Sequence, residues 1–166
     1  MMTIKIFLAI VLTCILVMKA HPQNTTGTTS AITAGVFVGS TPCDSFIKAS
    51  LEIPSVETCE FIKWEIRLLD NPSGHFQLSA LYGESQPNTN GFKGGGKKIE
   101  ISGTYKIVGE TKPNEKHRLY HFSGNHLKPE LLLIQMDNNV LHFADNNHDF
   151  ITGNAGFSYA VNRIEK

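Results

Sequence analysis

The chain has 166 residues, and its 15 lysines and arginines balance its 15 acidic residues, so the formal net charge is zero with neutral histidines. This balance gives no electrostatic reason to expect nucleic acid or an anionic membrane as a partner. Residues 21–166 suit one domain with its own hydrophobic core.

Residues 1–20 predict an export signal. Lys5 precedes an apolar run from Ile6 to Met18, which ends near the small residue Ala20 and is too short for a stable membrane span. Cys14 lies in a loose match to a lipid-attachment box, but the apolar run continues past it, which favours cleavage near Ala20. Residues 21–33 are small and polar and predict a flexible linker, and no later apolar run is long enough to span a membrane. We therefore expect an exported protein that is periplasmic, associated with the outer membrane or secreted.

Two cysteines follow this leader, Cys43 and Cys59. In an oxidising compartment they predict one disulfide, which contributes about 3 kcal/mol for a loop of this size. Their spacing matches neither C-x-x-C nor a zinc knuckle. Between them, residues 44–51 predict a short helix, because Asp44 or Ser45 suits its N-terminal cap and Pro54 lies beyond its end.

Most of the chain alternates apolar and polar residues with a period of two, which is typical of strands with one buried face. In FIKWEIRLL, for example, Trp64, Ile66 and Leu68 alternate with charged residues. Eight such segments follow one another in chain order: GVFVG, FIKWEIRLL, HFQLSALY, KKIEISGTYKIV, HRLYHFSG, LLLIQM, VLHFA and FSYAVNR (157–163). They predict an all-β antiparallel meander over residues 34–166, closed into a small barrel or a sandwich, with one short helix near its N-terminal side.

The stretch GFKGGGKK, at residues 91–98, nearly spells the phosphate-binding signature G-x-x-x-x-G-K-[ST]. Lys98 stands where the signature needs Ser or Thr, and a period-two run follows it instead of a helix. We therefore interpret it as a long connection between two strands, whose glycines adopt backbone angles that other residues avoid.

Five segments, GVFVGSTPCD, CEFIKWEIRLLD, LYGESQPNTNGFKGGGKK, LLLIQMDNNVLHFAD and GNAGFSYAVNR, together resemble the N-terminal domain of the NlpE-like family of bacterial envelope proteins. The resemblance covers nearly all of residues 34–163. It implies a small lipocalin-like β-barrel in the envelope and links to copper tolerance or homeostasis, adhesion and envelope-stress signalling. The best known member carries a C-x-x-C motif, whereas here Asp44, Ser45 and Phe46 follow Cys43, which argues against a copper or thiol-redox role.

Aromatic residues of the predicted barrel are candidates for contacting a ligand. An eight-stranded barrel has an interior about wide enough for its own side chains or for one small molecule, so a filled core and an apolar cavity are both open interpretations. The candidate ligand-binding residues are Trp64, Phe76, Tyr82, Phe92 and Tyr105.

Histidines are the candidate metal ligands. His117 and His121 lie four apart in one predicted strand, which places them on one face but about 13 Å apart, too far to share an ion. His126, His142, Asp145, His148 and Asp149 are further candidates, and we favour His121, His142 and His148. The alternative is that these histidines are solvated residues of strands and turns.

Catalytic patterns are weak, since Ser45 beside Asp44 lacks a nearby histidine and no G-x-S-x-G motif occurs. We therefore expect a non-enzymatic exported envelope protein without a cofactor, whose partner is another envelope protein or a small apolar ligand. The alternatives are a lipocalin-style carrier of an apolar molecule and a metal-binding protein.

Overall fold

The computed structural model describes residues 32, 34–70, 74–112 and 115–164. The predicted export signal, Cys14 and almost all of the predicted linker lie outside the described residues. The elements are β1 Gly35–Pro42, α1 Ser45–Ser50, β2 Phe61–Leu68, β3 His75–Gly83, a 3-10 turn Lys93–Gly95, β4 Lys97–Lys112, β5 Glu115–Gly124, β6 Leu131–Gln135, β7 Val140–Ala144 and β8 Ala160–Ile164. Within these residues, no helix has the length and apolar character needed to cross a bilayer.

The eight strands form one closed antiparallel barrel. Each strand pairs with the next along the chain, and β1 pairs with β8, from Val36 opposite Ile164 to Val38 opposite Asn162. The predicted all-β barrel of about eight strands is therefore confirmed, and the alternative of a sandwich is wrong. Closure leaves neither β1 nor β8 as a free sheet edge.

Helix α1 and the disulfide lie together in the connection from β1 to β2. Asp44 caps the helix, because its Oδ1 accepts a hydrogen bond of 2.8 Å from the Ile47 N–H. Cys43 and Cys59 form the predicted disulfide, with their Cα atoms 5.7 Å apart. The bridge thus ties the two ends of this connection to each other beside the barrel.

The three longest connections leave the barrel at one end. They join β1 to β2 (43–60), β3 to β4 (84–96) and β7 to β8 (145–159). Because an antiparallel meander alternates its turns between the two ends, the end of β2 at Leu68, the start of β3 at His75 and the turn 136–139 lie at the other end. We name these the long-loop end and the short-loop end.

Aromatic and branched side chains fill the barrel interior. Trp64 packs against Phe143 with ring centroids 5.0 Å apart, and Phe76 meets Phe122 edge to face at 4.9 Å. Tyr105 adds a third contact, 5.7 Å from the Phe122 ring. These residues belong to one continuous hydrophobic cluster, so the alternation that predicts the strands also builds the core.

Side chains from outside the strands extend this cluster at both ends. At the short-loop end, Ile32 is only 4% exposed, and its N–H donates a hydrogen bond of 2.8 Å to the Tyr120 hydroxyl. Ile32 is the one residue of the predicted linker that the structure describes, and its apolar side chain belongs to the core cluster. At the long-loop end, α1 and its flanks contribute Ile47, Leu51 and Ile53 to the same cluster.

A second apolar cluster lies on the outside of the barrel, on β5, β6 and β7. Its members are Leu119, Leu132, Ile134 and Ala144, all buried. The start of the β7–β8 connection returns beside them, since Phe150 bridges to Ala144. On this part of the outer wall, the start of the β7–β8 connection therefore covers apolar residues of the strands.

Candidate functional site

Four of the five candidate ligand-binding residues lie in the interior cluster: Trp64, Phe76, Tyr82 and Tyr105. None is more than 7% exposed. The indole N–H of Trp64 donates a hydrogen bond of 2.9 Å to the Thr41 hydroxyl. Burial raises the pKa values of the Tyr105 and Tyr82 hydroxyls above the ordinary value for tyrosine. These side chains are therefore packed against protein rather than presented to solvent.

Phe92, the fifth candidate, lies on the outside of the barrel. Its ring stacks on Phe61 at 4.2 Å, and Phe157 stacks on the other face of Phe61 at 5.0 Å. Phe61 shares its side of β2 with Lys63, whose ammonium lies 5.7 Å from the centre of the Phe92 ring. Phe92 thus anchors a loop to the outer wall and does not line the interior together with the other four.

The glycine-rich stretch connects β3 to β4, as the sequence predicts. Gly94, Gly95 and Gly96 all have positive φ (63°, 83° and 77°), which is the left-handed region that glycine tolerates. A cavity of about 220 Å³ adjoins this loop. Its lysines are paired, Lys93 with Glu84 and Lys97 with Glu57, so these cations are already neutralised.

The candidate metal ligands are distributed along the outer wall. The rings of His121 and His148 are 6.3 Å apart, whereas His142 Nδ1 lies 2.8 Å from the Phe143 carbonyl oxygen and donates to it. Because β6 lies between β5 and β7, and each step between strands is about 4.8 Å, His121 and His142 are separated by two strand spacings. In the described part of the chain, no group of three or more His, Cys, Asp or Glu residues is arranged to hold a metal ion.

Two histidines of the outer wall, His117 and His142, lie beside one aromatic ring. The Phe150 ring lies 5.1 Å from His142 and 6.0 Å from His117, both edge to face. It is 41% exposed, although it bridges to the barrel wall at Ala144. We call His117, His121, His142, His148 and Phe150 the histidine face.

A tight turn positions the loop half of this face. Asp145 Oδ1 accepts hydrogen bonds from the N–H groups of Asn147 (2.8 Å) and Asp149 (3.0 Å), which lowers the pKa of Asp145. His148 adopts a positive φ of 64°, so the chain reverses at this residue and brings Phe150 back to the wall. Phe150 is not among the residues predicted from the sequence, and its only sequence signal is one large apolar residue in the polar turn DNNHDF.

Hydrogen bonds fix the strand half of the face. His121 Nδ1 lies 3.1 Å from Glu130 Oε2, and the Ser123 hydroxyl donates to the other carboxylate oxygen. The bond from Ser123 and the contact with His121 lower the pKa of Glu130. Beside the face, the β7–β8 connection lines an open depression of about 610 Å³ that includes His142, Phe150 and Phe157.

Comparison of the chain with protein-family models, with curated proteins and with solved structures finds no match.

Proposed function

We propose that this protein is a non-enzymatic, exported envelope protein that acts by contacting another envelope component through its outer surface. One observation carries the proposal. The interior of the barrel is packed with its own aromatic side chains and extended at both ends by Ile32 and by α1, while the histidine face stays accessible on the outside. The resemblance to the NlpE-like family supports the envelope location. A role in envelope stress or copper homeostasis stays an expectation of that resemblance.

The histidine face supports this proposal better than the outer side of β2 to β4 does. An exposed phenylalanine among ionisable side chains is a pattern of recognition surfaces, where an aromatic anchor is surrounded by polar groups. By contrast, the outer side of β2 to β4 carries paired charges, such as Arg67 with Glu65 and Lys98 with Glu100. We therefore assign the proposed contact to the histidine face.

Site-specific photo-crosslinking tests this assignment. A photoreactive phenylalanine analogue at position 150 is expected to yield adducts with an envelope component in cells that naturally produce the chain. The control places the same analogue at Gln77, an exposed position on β3, which is four strands away from β7 around the barrel. Adducts at both positions in equal amounts, or at neither position, would contradict the proposal.

A lipocalin-style carrier is the alternative function, and the chain contains its own probe for it. Trp64 is the single tryptophan and lies in the interior cluster, so a ligand that enters the barrel must change its environment. We expect no saturable change in Trp64 emission when a long-chain fatty acid is titrated into the purified protein. Trp64→Phe is the control for scatter and absorption by the ligand. A saturable, stoichiometric change that is absent from this variant would favour the carrier over surface recognition.

A further inference from the structure

The connection from β3 to β4 carries the dipeptide Asn90–Gly91 in front of its glycine-rich part. The main chain around this dipeptide is held in place, because Ser85 bridges to Phe92 and the Gln86 N–H donates a hydrogen bond of 3.1 Å to the Gly91 carbonyl oxygen. Asn90 itself is exposed, and no described residue forms a hydrogen bond with its side-chain amide. The Asn90 side chain can therefore rotate beside a fixed main chain.

A lysine of the outer wall contacts this peptide unit. The Lys63 ammonium on β2 donates a hydrogen bond to the Asn90 carbonyl oxygen, and it also lies 5.7 Å from the centre of the Phe92 ring. The Asn90 carbonyl group and the Gly91 N–H group belong to the same peptide unit and share its electrons. A cation at the carbonyl oxygen therefore draws electrons from the Gly91 nitrogen and favours loss of its proton.

The Gly91 N–H makes a second contact, which acts in the opposite direction. It donates a hydrogen bond of 3.0 Å to Thr89 Oγ1, and that hydroxyl donates to the Gln86 carbonyl oxygen. A hydrogen bond to the neutral form of a group opposes its ionisation. Hydrogen bonds with an ionised partner are roughly twice as strong as those between neutral groups, so the contact with Lys63 outweighs the contact with Thr89.

We infer that Asn90 is a site of spontaneous deamidation, which the Lys63 ammonium accelerates. The Gly91 nitrogen loses its proton and attacks Cγ of Asn90, and the new C–N bond closes a succinimide ring. The side-chain nitrogen takes up that proton and leaves as ammonia. Water then adds its hydroxyl to one of the two ring carbonyl groups, the bond from that carbon to the Gly91 nitrogen breaks, and the nitrogen receives the second proton of the water. Nothing is oxidised or reduced.

The position of Lys63 also favours one of the two products. Its ammonium contacts the main-chain carbonyl of Asn90, so it activates this ring carbonyl for the attack by water. Attack there yields isoaspartate, which lengthens the main chain by a methylene group, whereas attack at Cγ yields aspartate. Either product places a new carboxylate beside Lys63. The inference concerns the β3–β4 connection and does not depend on the contact proposed for the histidine face.

Ageing of the purified protein at neutral pH, followed by peptide mapping with mass spectrometry, is the test. We expect Asn90 to convert faster than Asn154, which is also exposed. The Asn154 side-chain oxygen is fixed by the N–H groups of Gly156 (2.9 Å) and Phe157 (2.9 Å), so its Cγ is not free to approach the next main-chain nitrogen. Equal rates at the two sites would overturn the inference.

Matched variants separate the effect of Lys63 from that of the dipeptide alone. Lys63→Met should slow the conversion of Asn90 about three- to tenfold, a modest factor because Lys63 is only half-buried. Lys63→Arg keeps the cation and should retain most of the rate. The control Lys98→Met removes a lysine of β4 that is paired with Glu100, and it should leave the rate unchanged. Thr89→Ala removes the opposing hydrogen bond and should raise the rate.

Circular dichroism checks that each variant is folded, and urea supplies a second readout. In the unfolded chain Lys63 no longer contacts Asn90, so the rates of the unmodified sequence and of Lys63→Met should become equal. An unchanged rate in folded Lys63→Met would refute the inference. A slowing of the same size in Lys98→Met, or a difference that persists in urea, would refute it as well, because the effect would then not come from the contact in the fold.

Discussion

Phe143→Ala is expected to lower the free energy of unfolding by about 3 to 5 kcal/mol, the usual cost of removing a phenylalanine ring from a packed core. Phe143 has no exposed surface, and its ring contacts Trp64 at 5.0 Å and Tyr159 at 6.5 Å. Because domains of this size are stable by only about 5 to 15 kcal/mol, the variant should lose much of its margin. Urea denaturation followed by circular dichroism measures the change. Trp64 emission is not a suitable probe here, because the Trp64 ring contacts Phe143 and its emission changes with the mutation itself.

Phe150→Ala is the matched control, only seven residues along the chain. Phe150 is 41% exposed and lies on the outer wall, so the same chemical change should cost about 1 kcal/mol or less. A similar loss in the two variants would mean that Phe143 does not sit in a packed interior. It would also remove the argument that the barrel is filled by its own side chains.

The strands were predictable from the sequence because their alternation is local. The prediction for FIKWEIRLL differs from β2 by only one residue, and the helix over residues 44–51 is confirmed as α1 with Asp44 as its cap. The last strand shows the limit of this method. FSYAVNR predicts a start at Phe157, whereas β8 begins at Ala160, because the Phe157 ring stacks on Phe61 outside the barrel.

Closure of the barrel was not predictable in the same way. Alternation shows which side of a strand is buried, but it contains no information about which strands are neighbours. A barrel and a sandwich were therefore both compatible with the sequence, and the pairing of β1 with β8 decides between them. That pairing joins residues near Val36 to residues near Ile164, which are far apart in the chain.

The candidate site was the least predictable part. Phe92 lies in a loop without periodicity, so nothing in its neighbourhood indicated that it packs on the outer wall against Phe61. The histidines were recognised as a group, but their convergence depends on which strands lie between them. With β6 between β5 and β7, His121 and His142 lie apart, and the space near His142 is taken by Phe150.

Gly103→Ala is the second variant for which we expect a large effect, a loss of about 3 kcal/mol in the free energy of unfolding, at the upper end of the usual cost of overpacking. A Cβ atom at Gly103 would lie 2.1 Å from the Ser123 carbonyl oxygen and 2.8 Å from the Phe76 ring. The first contact is with backbone of the neighbouring strand β5, which cannot rotate away as a side chain can. The β4–β5 pairing must therefore open locally, and thermal or urea unfolding followed by circular dichroism measures the cost.

Gly109→Ala tests whether this effect comes from the close approach of the strands or from any added methyl group in β4. A Cβ atom at Gly109 meets no atom within 4 Å, and its φ does not lie in the left-handed region. Alanine there should be neutral or stabilise the protein by up to about 1 kcal/mol, because it reduces the conformational freedom of the unfolded chain. A loss of stability in Gly103→Ala that is absent from Gly109→Ala would show that the cost comes from the close approach of β5 and of the Phe76 ring to Gly103. If Gly103→Ala were as stable as Gly109→Ala, the register of these two strands would have to differ from the one described.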